Sequence, residues 1–146
     1  MKQVDLRILQ HLRLNSRASL TGISRRTGIP VSTIFDRIKT YEQQLVHRFT
    51  ALVDFSRLGY SVRANVMLKV APQERDNVKS YLLSHERVNT IMRINNGFDY
   101  AAECFFFSIK EAEEFMEELE MKFKVMDKQV FHIIDDIARE KMLTPN

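Results

Sequence analysis

The chain has 146 residues, of which 45% are hydrophobic and 28% charged. That length and composition suit a soluble protein with one medium-sized domain or two small ones. Cys104 is the only cysteine, which excludes an intrachain disulfide framework. No apolar run approaches the roughly 20 residues needed to span a bilayer. Arg7 and His11 interrupt the early apolar residues, so no signal peptide is predicted and a cytoplasmic protein with no membrane partner is expected.

The net charge of +3 is unevenly distributed along the chain. Residues 1–57 hold ten Lys/Arg against four Asp/Glu, whereas residues 58–146 hold twelve against fifteen. A basic first part followed by a slightly acidic second part indicates that the first part faces a polyanion. The alternative is a chance asymmetry that serves no partner.

The first part of the chain is predicted to form three helices. Apolar spacing predicts a helix over about Val4–Leu14, with Asp5 placed to complement the helix dipole. A second, short helix capped by Ser19 ends at Gly28, since glycine enters the left-handed region without steric penalty. The expected inward side chains of these two helices are Val4, Ile8, Leu9, Leu12, Leu20 and Ile23.

A third helix is predicted from Pro30 to about Gln44, because proline suits the first helical turn. Its spacing places Ile34, Ile38, Tyr41 and Leu45 toward the core. Two short helices at this spacing, with small polar residues at the head of the second and basic residues around both, are typical of a DNA-reading helix-turn-helix. His47–Val53 would then supply a wing or a connecting strand.

The second part alternates between strand and helix patterns. The predicted order is β-α-β-β-α-β, a ferredoxin-like arrangement. Its expected elements are a strand at Tyr60–Val70, a helix opened by Pro72, strands at Val88–Ile94 and Phe98–Phe107, a helix at Lys110–Lys124 and a strand at Val125–Ile137. Asn95-Asn96-Gly97 predicts the turn of a hairpin. Val88, Thr90, Met92 and Ile94 are expected to share one face.

The predicted fold class is therefore α+β: an N-terminal winged helix-turn-helix plus a C-terminal ferredoxin-like βαββαβ domain. The expected boundaries are 1–49 for the DNA-binding domain, 50–59 for a linker or connecting strand, and 60–146 for the second domain. Helices would cover only one face of the second domain's sheet, so a homodimer is expected to cover the other.

The chain resembles the leucine-responsive regulatory protein/AsnC (feast/famine) family of transcription regulators over nearly its full length. The matching stretches are Val4-Asp5-Leu6-Arg7-Ile8-Leu9, Asn15-Ser16-Arg17 with Ser19-Leu20, Arg26-Thr27-Gly28-Ile29, Thr33-Ile34 with Arg37-Ile38, Leu58-Gly59-Tyr60 and Gly97-Phe98-Asp99-Tyr100. The resemblance implies DNA binding by the first domain. For the second domain it implies dimerisation, assembly into tetramers or octamers, and often amino-acid sensing. The chain departs from the family pattern at Leu45, Asn96 and Lys124-Val125.

Candidate DNA-contacting residues lie on the second and third helices and in the turn before them. Arginines there would bind backbone phosphates, and short polar side chains at the head of the third helix would reach base edges or phosphates. The candidates are Arg17, Arg25, Arg26, Val31, Ser32, Thr33, Asp36, Arg37 and Lys39. The alternative for the group is a solvated charged surface. For Arg37, the alternative is a pairing with Asp5 or Asp36 that orients the helix.

The predicted hairpin is the candidate effector site. Its polar side chains and glycine backbone would meet the amino and carboxylate groups of a small ligand at a subunit contact. The candidates are Asn95, Asn96, Gly97, Phe98, Asp99 and Tyr100. The alternative is a tight hairpin that stabilises an oligomer and binds nothing.

The remaining chemistry-bearing residues favour no catalytic site. The four histidines lack metal-ligand spacing, Cys104 is expected to be buried and inert, and the six glutamates of Glu111–Glu120 are expected to form a solvated helix face. The sequence has no phosphate-binding loop, zinc-protease or nucleophile-elbow motif, so neither an enzyme nor a cofactor is expected. Two alternatives stay open: a ligand-sensing assembly module, and an enzyme resembling the sirohaem decarboxylases, with His47 and Arg48 as suspects.

Overall fold

A computed structural model of the chain describes residues 2–144, so the predicted domain ends at Met1 and at residues 145–146 lie outside the described residues. The helices are α1 (Gln3–Leu14), α2 (Leu20–Thr27), α3 (Val31–Gln44), α4 (Arg75–Ser84) and α5 (Ile109–Lys122). The strands are β1 (Val62–Val70), β2 (Val88–Arg93), β3 (Tyr100–Phe106) and β4 (Val125–His132). Within this part of the chain, no helix is both long and apolar enough to cross a membrane.

The chain divides into two compact units. The first contains residues up to Leu52 together with those from Ile137 onward, and the second contains Val53–Asp136. The sequence had placed residues 137–144 with the second domain, whereas their contacts group them with the first unit. Arg13 explains this grouping. Its guanidinium donates to the carbonyl oxygens of Glu140 and Met142 at 3.0 and 3.2 Å and pairs with the Glu140 carboxylate at 2.8 Å.

The first unit has a core built by one apolar face from each of its three helices. Ile8, Ile23 and Ile34 are completely buried at its centre. Two of the predicted core positions are wrong, since Val4 is 37% and Leu45 50% exposed. Asp5 is buried in the first turn of α1. Leu45 lies at the helix end with non-helical angles, so its side chain leaves the helical spacing and Val46 packs on the core instead.

The turn between α2 and α3 follows from local chemistry. The Ser19 hydroxyl accepts a hydrogen bond from the Gly22 N–H at 3.1 Å, which confirms the predicted cap of α2. Gly28 has φ of 72° and its N–H donates to the Ser24 carbonyl, which closes the helix. Thr27 secures the turn by donating its hydroxyl to the Ile23 carbonyl and accepting from the Ile29 N–H. Pro30 is the cap of α3 and lies just outside the helix.

The segment after α3 differs from the prediction. Residues 46–54 form neither helix nor strand, so the wing or connecting strand expected at His47–Val53 is not formed. Further along, Phe55 packs on Phe105 and Tyr60 stacks on Phe107, each with ring centroids 4.4 Å apart. These aromatic contacts pack the segment that precedes β1 against β3 and its end within the second unit.

The second unit is a four-stranded antiparallel sheet in the order β2-β3-β1-β4, which confirms the ferredoxin-like prediction. Alternate residues of β1 face the core, as predicted from the strict apolar alternation. The buried residues of both helices follow helical spacing: Val78 and Leu82 from α4, and Ala112, Phe115, Met116 and Leu119 from α5.

The face assigned to β2 is wrong beyond its first residue. A register shift between Val88 and Thr90 inserts a bulge, so Val88 and Ile91 pack on the core. Thr90 and Met92 consequently point away from it and are exposed. Strand β4 ends at His132, earlier than predicted, and the next residue makes one further bond, from the Ile133 N–H to the Arg63 carbonyl.

Within residues 2–144, no α-helix packs on the other face of the sheet, which mixes polar with apolar residues and is contacted at Phe105 by Phe55 from the short 3-10 helix Phe55–Leu58. Arg63 lies across it, with its Nε donating to Glu103 at 2.9 Å and its guanidinium pairing with Asp136 at 2.7 Å. Phe105 lies beside this pair, while Phe131 is 48% exposed. This face, defined by Arg63, Glu103, Phe105, Met92 and Phe131, is called the uncovered sheet face below.

Candidate nucleic-acid interface

The helix-turn-helix presents basic side chains on its outer surface. Arg17, Arg25 and Arg26 are all exposed, and within residues 2–144 none of the three forms an ion pair with an acidic residue. A guanidinium without an acidic neighbour keeps its hydrogen-bond donors available to phosphate. The three arginines are therefore chemically ready to bind a polyanion.

The first turn of α3 adds backbone donors to this basic surface. No described side chain caps its N-terminus, and the first intrahelical bond runs from the Ile34 N–H to the Pro30 carbonyl. The amide groups of Val31, Ser32 and Thr33 therefore lack intrahelical acceptors. Such amides at the positive end of a helix dipole suit a phosphate oxygen.

The candidate DNA-contacting residues of α3 are accessible to different degrees. Ser32, Asp36 and Lys39 are exposed, while Thr33 and Arg37 are half-buried. Val31, also a candidate, is 39% exposed. Ser32, Asp36 and Lys39 lie on the side of α3 away from Ile34 and Tyr41, whereas Arg37 lies beside the buried face.

Arg37 differs from the other arginines because it is paired. Its guanidinium lies 3.6 Å from the Asp5 carboxylate, and the Tyr41 hydroxyl donates to the same carboxylate oxygen at 2.7 Å. The Tyr41 hydrogen bond is the main cause of a lowered pKa of Asp5, while burial and the carboxylate raise the pKa of Tyr41. Of the alternatives for Arg37, the pairing with Asp5 is the one observed. Because 37% of its side chain stays exposed, it can also meet a ligand.

One residue of this surface was missed by the sequence analysis. Phe35 is 46% exposed on the outer side of α3, and the Lys39 ammonium lies 4.6 Å from its ring centroid. The signal was present in the sequence. Phe35 lies four residues after Val31 and four before Lys39, both of which are candidate DNA-contacting residues.

The hairpin proposed as an effector site has most of its charge already engaged. Asn96 and Gly97 have φ of 62° and 89°, the left-handed pair that a tight two-residue turn needs. The Asp99 carboxylate accepts from the Val70 N–H at 2.9 Å and pairs with Arg75 at 2.8 Å. The Tyr100 hydroxyl donates to the Arg75 carbonyl at 3.0 Å. These bonds hold the second half of the hairpin against its own unit.

The remaining effector candidates stay accessible. Asn95, Asn96 and Gly97 are exposed at the tip of the hairpin, and Phe98 is half-buried. Their amide groups and backbone offer donors and acceptors without a formal charge. A charged ligand at this tip would therefore meet neutral groups unless the Asp99–Arg75 pair opens.

Other titratable groups behave as parts of the core. Cys104 is completely buried, and burial raises the pKa of its thiol to about 12. His85 lies against the Tyr81 and Phe115 rings, and burial lowers the pKa of its imidazole. The described residues contain no group of three or more His, Cys, Asp or Glu side chains arranged to hold a metal ion.

These features define the class of the protein: a helix-turn-helix unit with an exposed basic surface, joined in one chain to a ferredoxin-like unit. A family model described as winged helix-turn-helix DNA-binding matches residues 1–44. The HTH-type transcriptional regulator FL11 of Pyrococcus abyssi is 30% identical over 118 residues, covering 80% of this chain and 78% of the relative.

Solved structures show the same two-domain fold. A transcriptional regulator of Neisseria meningitidis, in complex with L-Met, has a TM-score of 0.87 at 20% identity and covers 95% of this chain and 93% of its own. AsnC of E. coli has a TM-score of 0.86 at 14% identity, covering 98% of both chains. The chain belongs to the leucine-responsive regulatory protein/AsnC family of helix-turn-helix transcription regulators. The curated relatives are named as regulators and not as enzymes.

Proposed function

We propose that the first unit reads duplex DNA with α3 in the major groove, while Arg17, Arg25 and Arg26 bind the flanking phosphates. The observation that carries this assignment is that the helix-turn-helix has both exposed arginines without acidic partners and an α3 N-terminus without a side-chain cap. Phosphate contacts supply affinity and register, whereas contacts from the α3 side chains to base edges supply specificity. Arg37 takes a double role, orienting α3 through Asp5 and presenting its exposed part to the DNA.

We infer further that the active species is a homodimer formed through the uncovered sheet face. Phe131 and Met92 are each 48% exposed there, and a second copy of the sheet would bury them. A two-fold dimer carries two α3 helices, which suits a pseudo-palindromic site with half-sites about one helical turn apart. The second domain would then hold the two readers at that spacing.

The test is a selection of genomic DNA fragments on the purified protein at physiological salt, followed by sequencing. A single enriched motif of roughly two-fold symmetry is the expected result. Arg25→Ala should then weaken binding to motif and random DNA alike and reduce the salt slope by about one. Lys110→Ala, which removes an exposed positive charge from α5, is the matched control and should leave both unchanged. Uniform recovery of fragments would contradict specific reading.

A second function, amino-acid sensing, is favoured by the hairpin tip of Asn95, Asn96 and Gly97. These residues are exposed and rich in neutral hydrogen-bonding groups, and a structural neighbour is described in complex with L-Met. We propose that an effector would bind there in the dimer. A melting-temperature shift with one of the twenty amino acids, lost in Asn96→Ala, would support sensing. Equal melting with every amino acid would contradict it.

The proposed role is regulatory and not catalytic. His47 and Arg48, which an enzyme resembling the sirohaem decarboxylases would use, are exposed in the irregular segment 46–54. Incubation of the purified protein with sirohaem separates the two functions. The regulatory proposal expects an unchanged mass of the recovered tetrapyrrole, and loss of carbon dioxide from its side chains would contradict it.

A further inference from the structure

Helix α3 carries an exposed apolar strip outside the residues that pack on its own core. Val31 is 39% and Phe35 46% exposed, and four residues separate them, so they are neighbours on one face. Ile34 and Tyr41 are the α3 residues buried in the core, and neither Val31 nor Phe35 belongs to that cluster. Burial inside the unit therefore does not account for a phenylalanine at this position.

The surroundings of the strip indicate a polyanionic partner. Lys39 lies 4.6 Å from the Phe35 ring centroid, and Ser32 and Asp36 are exposed on the same side of α3. The first 57 residues carry six more positive than negative charges. The strip is thus surrounded by cationic and hydrogen-bonding groups. This combination is complementary to a groove with phosphates along its edges and with both polar and methyl groups on its floor.

The major groove of DNA has such a floor, and only one base in it presents a methyl group. Thymine exposes its C5-methyl there, whereas adenine, guanine and cytosine expose hydrogen-bonding atoms. Neither Phe35 nor Val31 can hydrogen-bond through its side chain, so each discriminates by packing alone. We propose that Phe35, with Val31 beside it, is a specificity-determining residue that packs on thymine C5-methyl groups in each half-site.

This inference rests on the proposed entry of α3 into the major groove, and it adds the base that the apolar strip selects. It predicts that the enriched motif contains thymine at one or two fixed positions in each half-site. It also predicts that the discrimination depends on the methyl group and not on the hydrogen-bonding edge of the base.

The test uses the full-length protein and duplexes that carry the enriched motif. Each thymine is replaced in turn by deoxyuridine, which removes only the methyl group and keeps base pairing. Wild-type affinity should fall about fourfold at the contacted thymine, as expected for one buried methyl group. Phe35→Ala should bind the thymine duplex more weakly and show little further loss on the deoxyuridine duplex. Phe35→Leu, which keeps an apolar side chain, should retain part of the methyl effect.

Leu83→Ala is the matched control, because Leu83 is an exposed apolar residue of the second unit. It should show the same methyl effect as the wild type. Equal deoxyuridine losses for wild type and Phe35→Ala at every position would overturn the inference while leaving specific reading intact. A change of oligomeric state in Phe35→Ala with no methyl effect would also overturn it, in favour of a protein contact. A selection that yields no motif would instead contradict the proposed function itself.

Discussion

The helix-turn-helix and the hairpin at residues 95–100 are both predicted ligand sites, but they differ in whether their charged side chains already have partners within the chain. Arg25 and Arg26 lie exposed and form no ion pair within the described chain, whereas Asp99 is bound by Arg75 and by the Val70 amide. A charge without an internal partner gains fully from an external one, while a paired charge must first lose its own contacts. The arginines of the helix-turn-helix are therefore available to bind an anionic ligand, whereas the charged side chain of the hairpin mainly stabilises its own fold.

The largest expected effect is on the unpaired charges. The Arg25→Ala, Arg26→Ala double variant should bind DNA about a hundredfold more weakly, because each hydrogen bond from a charged donor contributes about tenfold or more. The slope of log affinity against log salt should fall by about two, one for each lost phosphate contact. Fluorescence anisotropy across a salt series measures both quantities. An unchanged slope would show that these arginines do not contact the phosphates, and it would contradict the assignment of the basic surface as the DNA-binding site.

Within the helix-turn-helix, the side chains of Asp5, Arg37 and Tyr41 are already paired with one another. As in the hairpin, changing them should therefore lower the stability of the fold. Tyr41→Phe removes the hydroxyl that donates to Asp5 at 2.7 Å, so the free energy of unfolding should fall by about 2 kcal/mol. The salt slope of DNA binding should stay unchanged, which separates this network from Arg25 and Arg26. Urea denaturation at pH 7 measures the loss in stability.

The same network sets a pH dependence with a definite sign. The pKa of Asp5 is lowered in the folded protein, so the ionised carboxylate stabilises the fold above its unfolded pKa of about 3.8. This contribution is lost as pH falls through the lower, folded pKa. The stability difference between wild type and Tyr41→Phe should therefore be full at pH 7 and shrink below about pH 4. A difference that grows in acid would contradict the assignment.

Much of this architecture could be predicted because local patterns coincide with the final fold. The alternation along β1, the helical spacing in α5 and the Ser19 and Gly28 signals at the ends of α2 each depend on few residues. Family resemblance covered both domains as well. The exposed placement of Ser32, Asp36 and Lys39 followed from the spacing of α3.

The errors occurred where a distant partner or a backbone irregularity decides the outcome. Tyr41, 36 residues away, makes Asp5 the inward residue of the first turn of α1. A bulge after Val88 reverses the facing of β2, which no alternation rule can foresee. Asp99 forms an ion pair with Arg75, which lies outside the hairpin, so the sequence of the hairpin alone could not predict this pair.

A smaller effect is expected at the hairpin. Asp99→Asn removes the ionised partner of Arg75 but leaves an oxygen for the Val70 N–H, so stability should fall by about 1 kcal/mol. Asp76→Asn is the matched control. The Asp76 side chain is 96% exposed, so this substitution should change the stability little. Thermal melting of both variants measures the difference. Unchanged stability in Asp99→Asn, together with loss of an amino-acid response, would instead make Asp99 a ligand-binding residue.

The smallest effect is expected at Arg13, whose charge is already satisfied by the C-terminal segment. Glu140→Ala removes an exposed pair, so stability should change by less than about 0.5 kcal/mol. Arg13 would still donate to the carbonyls of Glu140 and Met142, whereas Arg13→Ala removes all three contacts. Trypsin should therefore cleave after Lys141 faster in Arg13→Ala than in Glu140→Ala, with a similar salt slope of DNA binding in both. A reduced slope in Arg13→Ala would show that this arginine leaves its internal partner for phosphate, which would contradict the distinction between paired and unpaired arginines.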